Sequence, residues 1–111
     1  MPLKVKKNGD TVITTIRGDI DHHSAPALRN GIDEAISHYK PKTLVLDFSE
    51  VTFMDSSGIG LVMGRYRNIC EYGGKIELFN LSLRDMKIMR LSGIDKIAKI
   101  RGGEENEKAA K

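Results

Sequence analysis

The sequence predicts a single α/β domain in which helices pack against a mainly parallel β-sheet. Its 111 residues are enough for one core of moderate size and leave no room for a second. Stretches rich in β-branched residues alternate with apolar patterns of helical period, in the order β-β-α-β-α-β-α plus a short closing element. Strands that alternate with helices are typical of a parallel sheet. We expect the domain to span residues 1–101 and residues 102–111 to form a polar, frayed tail.

The first half of the chain predicts two strands and a helix. Residues 3–6 and 11–17 have strand patterns, and the turn residues Asn8-Gly9-Asp10 between them favour an antiparallel pair. A polar connection over residues 18–24 follows. Ser24 is suited to the helix N-cap, and Pro26 is tolerated in the first helical turn because its missing N–H would have no partner there. Pro41 is expected to end the helix.

The second half predicts the remaining strands and helices. Residues 43–48 form a short apolar run, as in a strand buried on both faces, and residues 51–54 form a second β-prone piece that leads into Asp55-Ser56-Ser57-Gly58. A helix with one apolar stripe follows and ends at Gly73-Gly74. Residues 75–79 predict another strand. The run Ser82-Leu83-Arg84-Asp85 resembles a capping box before a short helix, and residues 94–100 predict a last turn and strand.

Composition argues against several functional classes. The chain carries 18 basic and 15 acidic residues, a net charge of +3, and no tryptophan. Its charges alternate in sign, whereas a nucleic-acid binder concentrates basic residues and interleaves aromatic ones. The N-terminus has no apolar signal core, and no apolar run approaches membrane-spanning length. We therefore expect a cytoplasmic protein that binds neither nucleic acid nor membrane.

Cysteine and histidine offer little metal or redox chemistry. The single cysteine, Cys70, excludes an internal disulfide and a cysteine-based metal cage. Because it falls among apolar residues at helical spacing, we expect it to be a small buried hydrophobe. His22 and His23 lie close to Asp19 and Asp21, but adjacent histidines in an extended segment point to opposite sides. A surface loop with capping and contact roles is the favoured interpretation, and no metal site is expected.

The turn at Ser56 and Ser57 is the main candidate for function. Both serines stand where a strand gives way to a helix, and on capping preferences alone Ser56 is as readily a helix cap as a functional group. One cap is enough, however, and if Ser57 supplies it, Ser56 is free to face solvent. A phosphate on Ser56 would add about −1.5 to −2 charges and could lie at the helix N-terminus without breaking the fold.

The same turn carries partial motifs of two other functional classes. A serine-hydrolase elbow needs glycine two residues before and two residues after the nucleophile. Ser56 has Met54 and Gly58 at those places, and Ser57 has neither glycine, so the spacing argues against hydrolysis. The glycines at 58, 60 and 64 only faintly resemble a dinucleotide fingerprint, because the third comes one position late. Close packing of the helix against the sheet or a partner is the better interpretation.

Taken together, these motifs resemble a known family. Residues 18–24 and 53–60, followed by Gly64-Arg65-Tyr66, are similar to bacterial anti-sigma factor antagonists, which carry the STAS domain, and in particular to the sporulation group that acts on the anti-sigma F factor. The resemblance extends from Leu3 to about Arg101. It implies a STAS fold and a protein without enzymatic activity. In that family the unphosphorylated antagonist binds an anti-sigma factor that is also a serine kinase, and thereby releases the sigma factor.

The resemblance also implies roles for individual residues. Ser56, directly after the motif's aspartate, corresponds to the serine that the kinase phosphorylates and that a phosphatase later restores. Asp21, His22 and Asp55 correspond to partner-binding positions, and Ser57 and Gly58 to the platform at the helix start. ATP and magnesium belong to the kinase, so no cofactor is implied for this chain. A dianion beside Asp55, and near Asp21, would repel an acidic partner. A STAS component of a general-stress pathway and a small serine hydrolase are the alternatives.

Overall fold

A five-stranded sheet and three α-helices make up the computed structural model over residues 2–103, the part of the chain that the structure describes. The elements occur in the predicted order. Their bounds are β1 Leu3–Asn8, β2 Thr11–Ile20, α1 Ala25–Tyr39, β3 Thr43–Met54, α2 Ser57–Glu71, β4 Lys75–Leu81, α3 Leu83–Leu91, a 3-10 turn at Ile94–Lys96, and β5 Lys99–Gly102.

The strands lie in the sheet in the same order as in the chain, β1-β2-β3-β4-β5. β1 and β2 are antiparallel and are joined by a tight turn in which Gly9 has a φ of 62°, whereas every later neighbour pair is parallel. A helical segment connects each parallel pair, as crossover connections require. The predicted antiparallel start and mainly parallel sheet are therefore confirmed.

The hydrophobic core lies where α1 and α2 pack on one face of the sheet. Val12, Thr14 and Ile16 alternate along β2 and are fully buried. Three successive residues of β3, Leu44, Val45 and Leu46, are all buried, so this strand is covered on both faces as predicted. The helices contribute their predicted apolar positions, among which Leu28, Ile32, Ile36, Val62 and Ile69 are buried.

β3 is longer than the sequence predicts. Residues 43–48 and 51–54 form one continuous strand and not two pieces. Irregular pairing with β2 explains the break in the apolar pattern, because the register shifts between Thr15 and Arg17 and again between Gly18 and Asp19. Despite both shifts, the two strands finish side by side, with Ile20 paired to Met54. The loops that follow these strands therefore leave the sheet next to each other.

The helix ends follow the sequence signals only in part. The Ser82 hydroxyl accepts a hydrogen bond from the Asp85 N–H at 3.1 Å, which confirms this part of the predicted capping box.

Cys70, predicted to be buried, is exposed on α2. The prediction was wrong because the buried stripe of α2 runs through Val62, Arg65 and Ile69, and Cys70 lies one residue beyond it. Within residues 2–103, none of the helices is long and apolar enough to cross a membrane.

The predicted tail falls almost entirely outside the described residues, which end at Gly103. Gly102 is the last residue of β5, and the N–H of Gly103 donates a hydrogen bond to the Leu81 carbonyl at 2.9 Å.

Candidate functional site

The carboxyl edge of the sheet brings together two loops that the sequence analysis singled out. One begins at Asp21 after β2 and the other at Asp55 after β3. The Asp55 N–H donates a hydrogen bond to the Ile20 carbonyl at 3.1 Å, so the loops are joined where they leave the strands. Loops beyond the carboxyl ends of parallel strands are the usual position of binding sites in α/β proteins.

Asp55 holds the Ser56 turn in place. Its Oδ1 accepts a hydrogen bond from the Ser57 N–H at 2.7 Å, and its carbonyl accepts one from the Gly58 N–H at 3.1 Å. The prediction that Ser57 caps the helix is therefore wrong. Ser57 is already the first residue of α2, and a carboxylate two residues earlier satisfies its N–H.

The Ser56 side chain is left free by this arrangement. Ser56 stands at the N-cap position with φ −62° and ψ −15°, a helical conformation, and its hydroxyl makes no capping hydrogen bond. Its side chain is exposed. The expectation that a single cap leaves the Ser56 side chain without a capping role is confirmed, although Asp55, and not Ser57, provides the cap.

The Asp21 loop is held by a similar aspartate turn. Oδ1 of Asp21 accepts hydrogen bonds from the N–H groups of His23 and Ser24, both at 2.9 Å. The hydrogen bond from Ser24 is the main reason that the pKa of Asp21 lies below its usual value. Ser24 occupies the predicted N-cap position without a side-chain cap. Its hydroxyl instead donates to the Asp19 carbonyl at 2.7 Å, which ties the loop to the end of β2.

The two histidines of this loop lie together, and not on opposite sides as predicted. Their ring centroids are 4.0 Å apart, because residues 21–24 form a turn and not an extended segment. Both rings are at the exposed surface. Within the described part of the chain, no three His, Cys, Asp or Glu side chains are grouped in a way that could hold a metal ion.

Gly58 lets the first turn of α2 approach the end of β3. It is buried, and a Cβ added there would lie 2.6 Å from Cγ of Met54, itself fully buried. The close-packing interpretation of the glycines therefore holds at Gly58. Packing against the sheet does not account for Gly60 or Gly64, where an added Cβ would meet no atom within 4 Å, and close packing against a partner stays a prediction at these two positions.

A polar contact between α1 and α2 was not foreseen. Nε of Arg65 lies 2.8 Å from Oδ1 of Asp33, an ion pair whose N–H is not directed well enough at the oxygen to count as a hydrogen bond. Nδ2 of Asn68 donates to the same oxygen at 2.7 Å. The Arg65 side chain is only 8% exposed, so this buried contact joins α1 and α2, the two helices that follow the loops of the site. An arginine inside the apolar stripe of α2 was the available signal.

Arg84 was the other residue that sequence reasoning missed. It lies in the first turn of α3, beyond the carboxyl end of β4, and its Nη1 donates to the Met54 carbonyl at 3.0 Å. Its guanidinium carbon lies 5.6 Å from the centre of the Phe53 ring. The predicted capping box already placed Arg84 at this edge of the sheet.

An open groove of about 700 Å³ borders Arg84 on the side of β4. Phe48, Val51, Leu83 and the Asp85 carboxyl line it. Burial raises the pKa of Asp85, and this effect outweighs the nearby positive charge of Arg84.

The chain belongs to the STAS domain family, whose sequence model matches residues 2–106. It has a single STAS fold, α/β with a mostly parallel five-stranded sheet. Its relatives include a protein of Paenibacillus polymyxa named anti-sigma F factor antagonist, 30% identical over 96% of this chain and 91% of that protein. They also include a protein of Bacillus subtilis named anti-sigma-B factor antagonist, 33% identical over 91% of this chain and 94% of that protein.

Solved structures agree with this assignment. The anti-sigma factor antagonist SpoIIAA in its unphosphorylated form matches with a TM-score of 0.76 at 30% identity, over 97% of this chain and 95% of that one. The phosphorylated form of the Bacillus cell fate determinant SpoIIAA matches with a TM-score of 0.70 at 30% identity, over 98% and 99% of the two chains.

Proposed function

We propose that the protein is an anti-sigma factor antagonist whose binding is switched off by phosphorylation of Ser56. The observation that carries the proposal is the free, exposed hydroxyl of Ser56 in a turn that Asp55 holds through the Ser57 N–H. A kinase can modify such a hydroxyl without breaking an internal hydrogen bond. The names of the relatives at 30% identity or above support the class of function.

In this proposal the unphosphorylated protein binds an anti-sigma factor that is a serine kinase, and so releases the sigma factor. Asp21 and His22 contribute one loop of the binding surface, and Asp55, Ser57 and Gly58 contribute the other. The kinase supplies ATP and magnesium, so the protein needs no cofactor and catalyses no reaction itself. A phosphoserine phosphatase reverses the modification. The protein acts in the cytoplasm, and residues 1–101 form the functional domain.

Electrostatics explains how the switch would work. A phosphate on Ser56 carries about −1.5 to −2 charges at neutral pH. It would be added next to Asp55 and close to Asp21, since the two loops are joined by the hydrogen bond between Asp55 and Ile20. Like charges brought together at an interface cost several kcal/mol, so an acidic partner surface would be rejected. The fold would stay intact because the cap of α2 does not involve Ser56.

The general-stress pathway is a second candidate within the same class. The relative named anti-sigma-B factor antagonist, at 33% identity, supports it as well as the sporulation relatives support the first. Both candidates use the same serine and the same type of partner. Binding to the two kinds of anti-sigma factor, measured side by side, distinguishes them.

A serine hydrolase is disfavoured because, within residues 2–103, neither the Ser56 nor the Ser57 hydroxyl donates a hydrogen bond to a histidine, as a nucleophile does to its base. Turnover of simple esters that disappears in Ser56→Ala or Ser57→Ala would reverse this conclusion.

Intact-mass measurement tests the proposal. The protein is incubated with a candidate anti-sigma factor kinase, ATP and magnesium. We expect one added phosphate on the wild type and on Ser57→Ala, and none on Ser56→Ala. Ser57→Ala is the matched control, since it removes the adjacent hydroxyl. If phosphorylation were lost in Ser57→Ala and kept in Ser56→Ala, the modified residue would be Ser57, and the proposal would be wrong.

A further inference from the structure

Arg84 is the one lysine or arginine of residues 2–103 with a hydrogen bond to the backbone that leads into the Ser56 turn. Arg84 also forms an ion pair with Asp85. The remaining ion pairs of residues 2–103 join Lys4 and Arg17 to Glu50, Arg65 to Asp33, and Lys75 to Glu77. Arg84 is thus a cation that the fold holds against the backbone of this turn.

Arg84 contacts the chain two residues before Ser56. Its Nη1 already lies 3.0 Å from the carbonyl of Met54, two residues before Ser56. Because consecutive Cα atoms are about 3.8 Å apart, the Cα of Ser56 is within about 7.6 Å of the Cα of Met54. A phosphate on the Ser56 hydroxyl would extend further from the backbone, toward solvent, where the guanidinium can meet it.

Arg84 has spare hydrogen-bonding capacity. A guanidinium has five N–H donors, and both hydrogen bonds that Arg84 makes among residues 2–103 use Nη1, to the Met54 carbonyl and to Oδ1 of Asp85 at 3.4 Å. The Arg84 side chain is 61% exposed and can turn outward. Arginine is especially suited to phosphate because its planar fork can make two parallel hydrogen bonds to it.

The charges around the turn favour such a partner. Asp21 and Asp55 lie at the start of the two joined loops, and Asp85 contacts Arg84 itself. A dianion on Ser56 would enter this acidic surrounding. The N-terminus of α2 and the exposed side chains of His22 and His23 are further groups that can interact with it.

We propose that Arg84 binds the phosphate on Ser56 and acts as its counter-ion within the same chain. The proposal rests on the proposed function only in taking Ser56 as the modified residue. Phosphorylation would then change the binding surface in two ways. It adds negative charge at Ser56, and it draws Arg84 away from the Met54 carbonyl and the Phe53 ring, so that an exposed positive charge of the surface is used within the chain.

Phosphorus NMR of the full chain tests the proposal without a kinase. Phosphoserine is incorporated at position 56 during translation, and the ³¹P chemical shift is followed from pH 4 to pH 9. The strength of an exposed ion pair, converted to the pH scale, corresponds to a shift of a few tenths of a pH unit. We therefore expect the midpoint of the wild type to lie about half a pH unit below that of Arg84→Gln.

Two variants serve as controls. Arg90→Gln makes the same chemical change at an exposed position at the opposite end of α3 from Arg84. Its midpoint should equal that of the wild type. Arg84→Lys keeps the charge without the planar fork, and its midpoint should fall between those of the wild type and Arg84→Gln.

Equal midpoints in the wild type and Arg84→Gln would overturn the proposal. It would also be overturned if replacing His22 and His23 by glutamine raised the midpoint while Arg84→Gln did not. A protein that shows the expected shift but that no anti-sigma factor kinase phosphorylates would contradict the proposed function and leave the role of Arg84 intact.

Discussion

Replacing Asp55 by alanine should destabilise the protein, whereas replacing Ser56 by alanine should not. Asp55 contributes an acceptor to the Ser57 N–H at 2.7 Å and a negative charge at the start of α2, but the Ser56 hydroxyl makes no capping hydrogen bond. Loss of such a cap costs about 1 kcal/mol, and loss of the charge at a helix N-terminus costs about 0.3–1 kcal/mol more. We expect Asp55→Ala to lose about 1–2 kcal/mol and Ser56→Ala to stay within about 0.5 kcal/mol of the wild type.

Thermal unfolding followed by circular dichroism measures this difference. In a domain of this size, 1 kcal/mol corresponds to a shift in Tm of about 4 °C or more. Asp55→Ala should therefore unfold about 4 °C or more below the wild type, and Ser56→Ala within about 2 °C of it. Asp55→Asn, which keeps an acceptor oxygen and loses the charge, should fall between them. If Ser56→Ala lost as much stability as Asp55→Ala, Ser56 would be a structural cap, and the reasoning that leaves it free would be refuted.

Three further changes test the packing and charges behind the site, all by urea unfolding. Asp33→Ala should lower the free energy of unfolding by about 2 kcal/mol, because it leaves the buried Arg65 guanidinium unpaired; a fully buried pair would lose somewhat more. If Arg65→Met lost as much stability or more, the unpaired charge would not be the cause of the loss. Gly58→Ala should lower the free energy of unfolding by about 1–3 kcal/mol, because the added methyl group crowds Met54. The control Gly60→Ala has open space around it and should raise the free energy of unfolding by up to about 1 kcal/mol through helix propensity. Equal effects of the two substitutions would be inconsistent with a close approach at Gly58. Burial raises the pKa of Asp85, so this carboxyl binds its proton more tightly in the folded protein than in the unfolded chain. At neutral pH the charged carboxylate therefore opposes folding, and this opposition fades as the pH falls through the raised pKa. Asp85→Asn should therefore be more stable than the wild type at pH 7 by a margin that shrinks toward pH 4, and a margin independent of pH would show that burial does not disfavour the charged form.

The order of the elements could be predicted because local patterns carry it. Turn residues at Asn8-Gly9-Asp10 and Gly73-Gly74, together with the apolar run at Leu44–Leu46, mark boundaries through backbone preferences that act over a few residues. The continuity of β3 could not be predicted in the same way. It depends on how β3 pairs with β2 across two register shifts, and such pairing is a long-range property.

The candidate site was predictable at Ser56 and less so around it. The choice of Ser56 depended on a single cap being sufficient, which is a local argument. Which residue provides that cap was decided by the conformation of Asp55 at the end of β3, and the turn-like path of His22 and His23 by the Asp21 hydrogen bonds. The contact of Arg84 with Met54 joins residues 30 positions apart, and no pattern in the sequence reports such a distance.

Affinity for the anti-sigma factor, with and without phosphate on Ser56, tests the central claim most directly. The protein is prepared unphosphorylated and with phosphoserine incorporated at position 56, and each form is titrated into the same candidate anti-sigma factor kinase by calorimetry. A repulsion of several kcal/mol at the interface predicts that the phosphorylated form binds at least about a hundredfold more weakly, since about 1.4 kcal/mol is a factor of ten in Kd. Equal affinity of the two forms would contradict the claim that Ser56 is a switch.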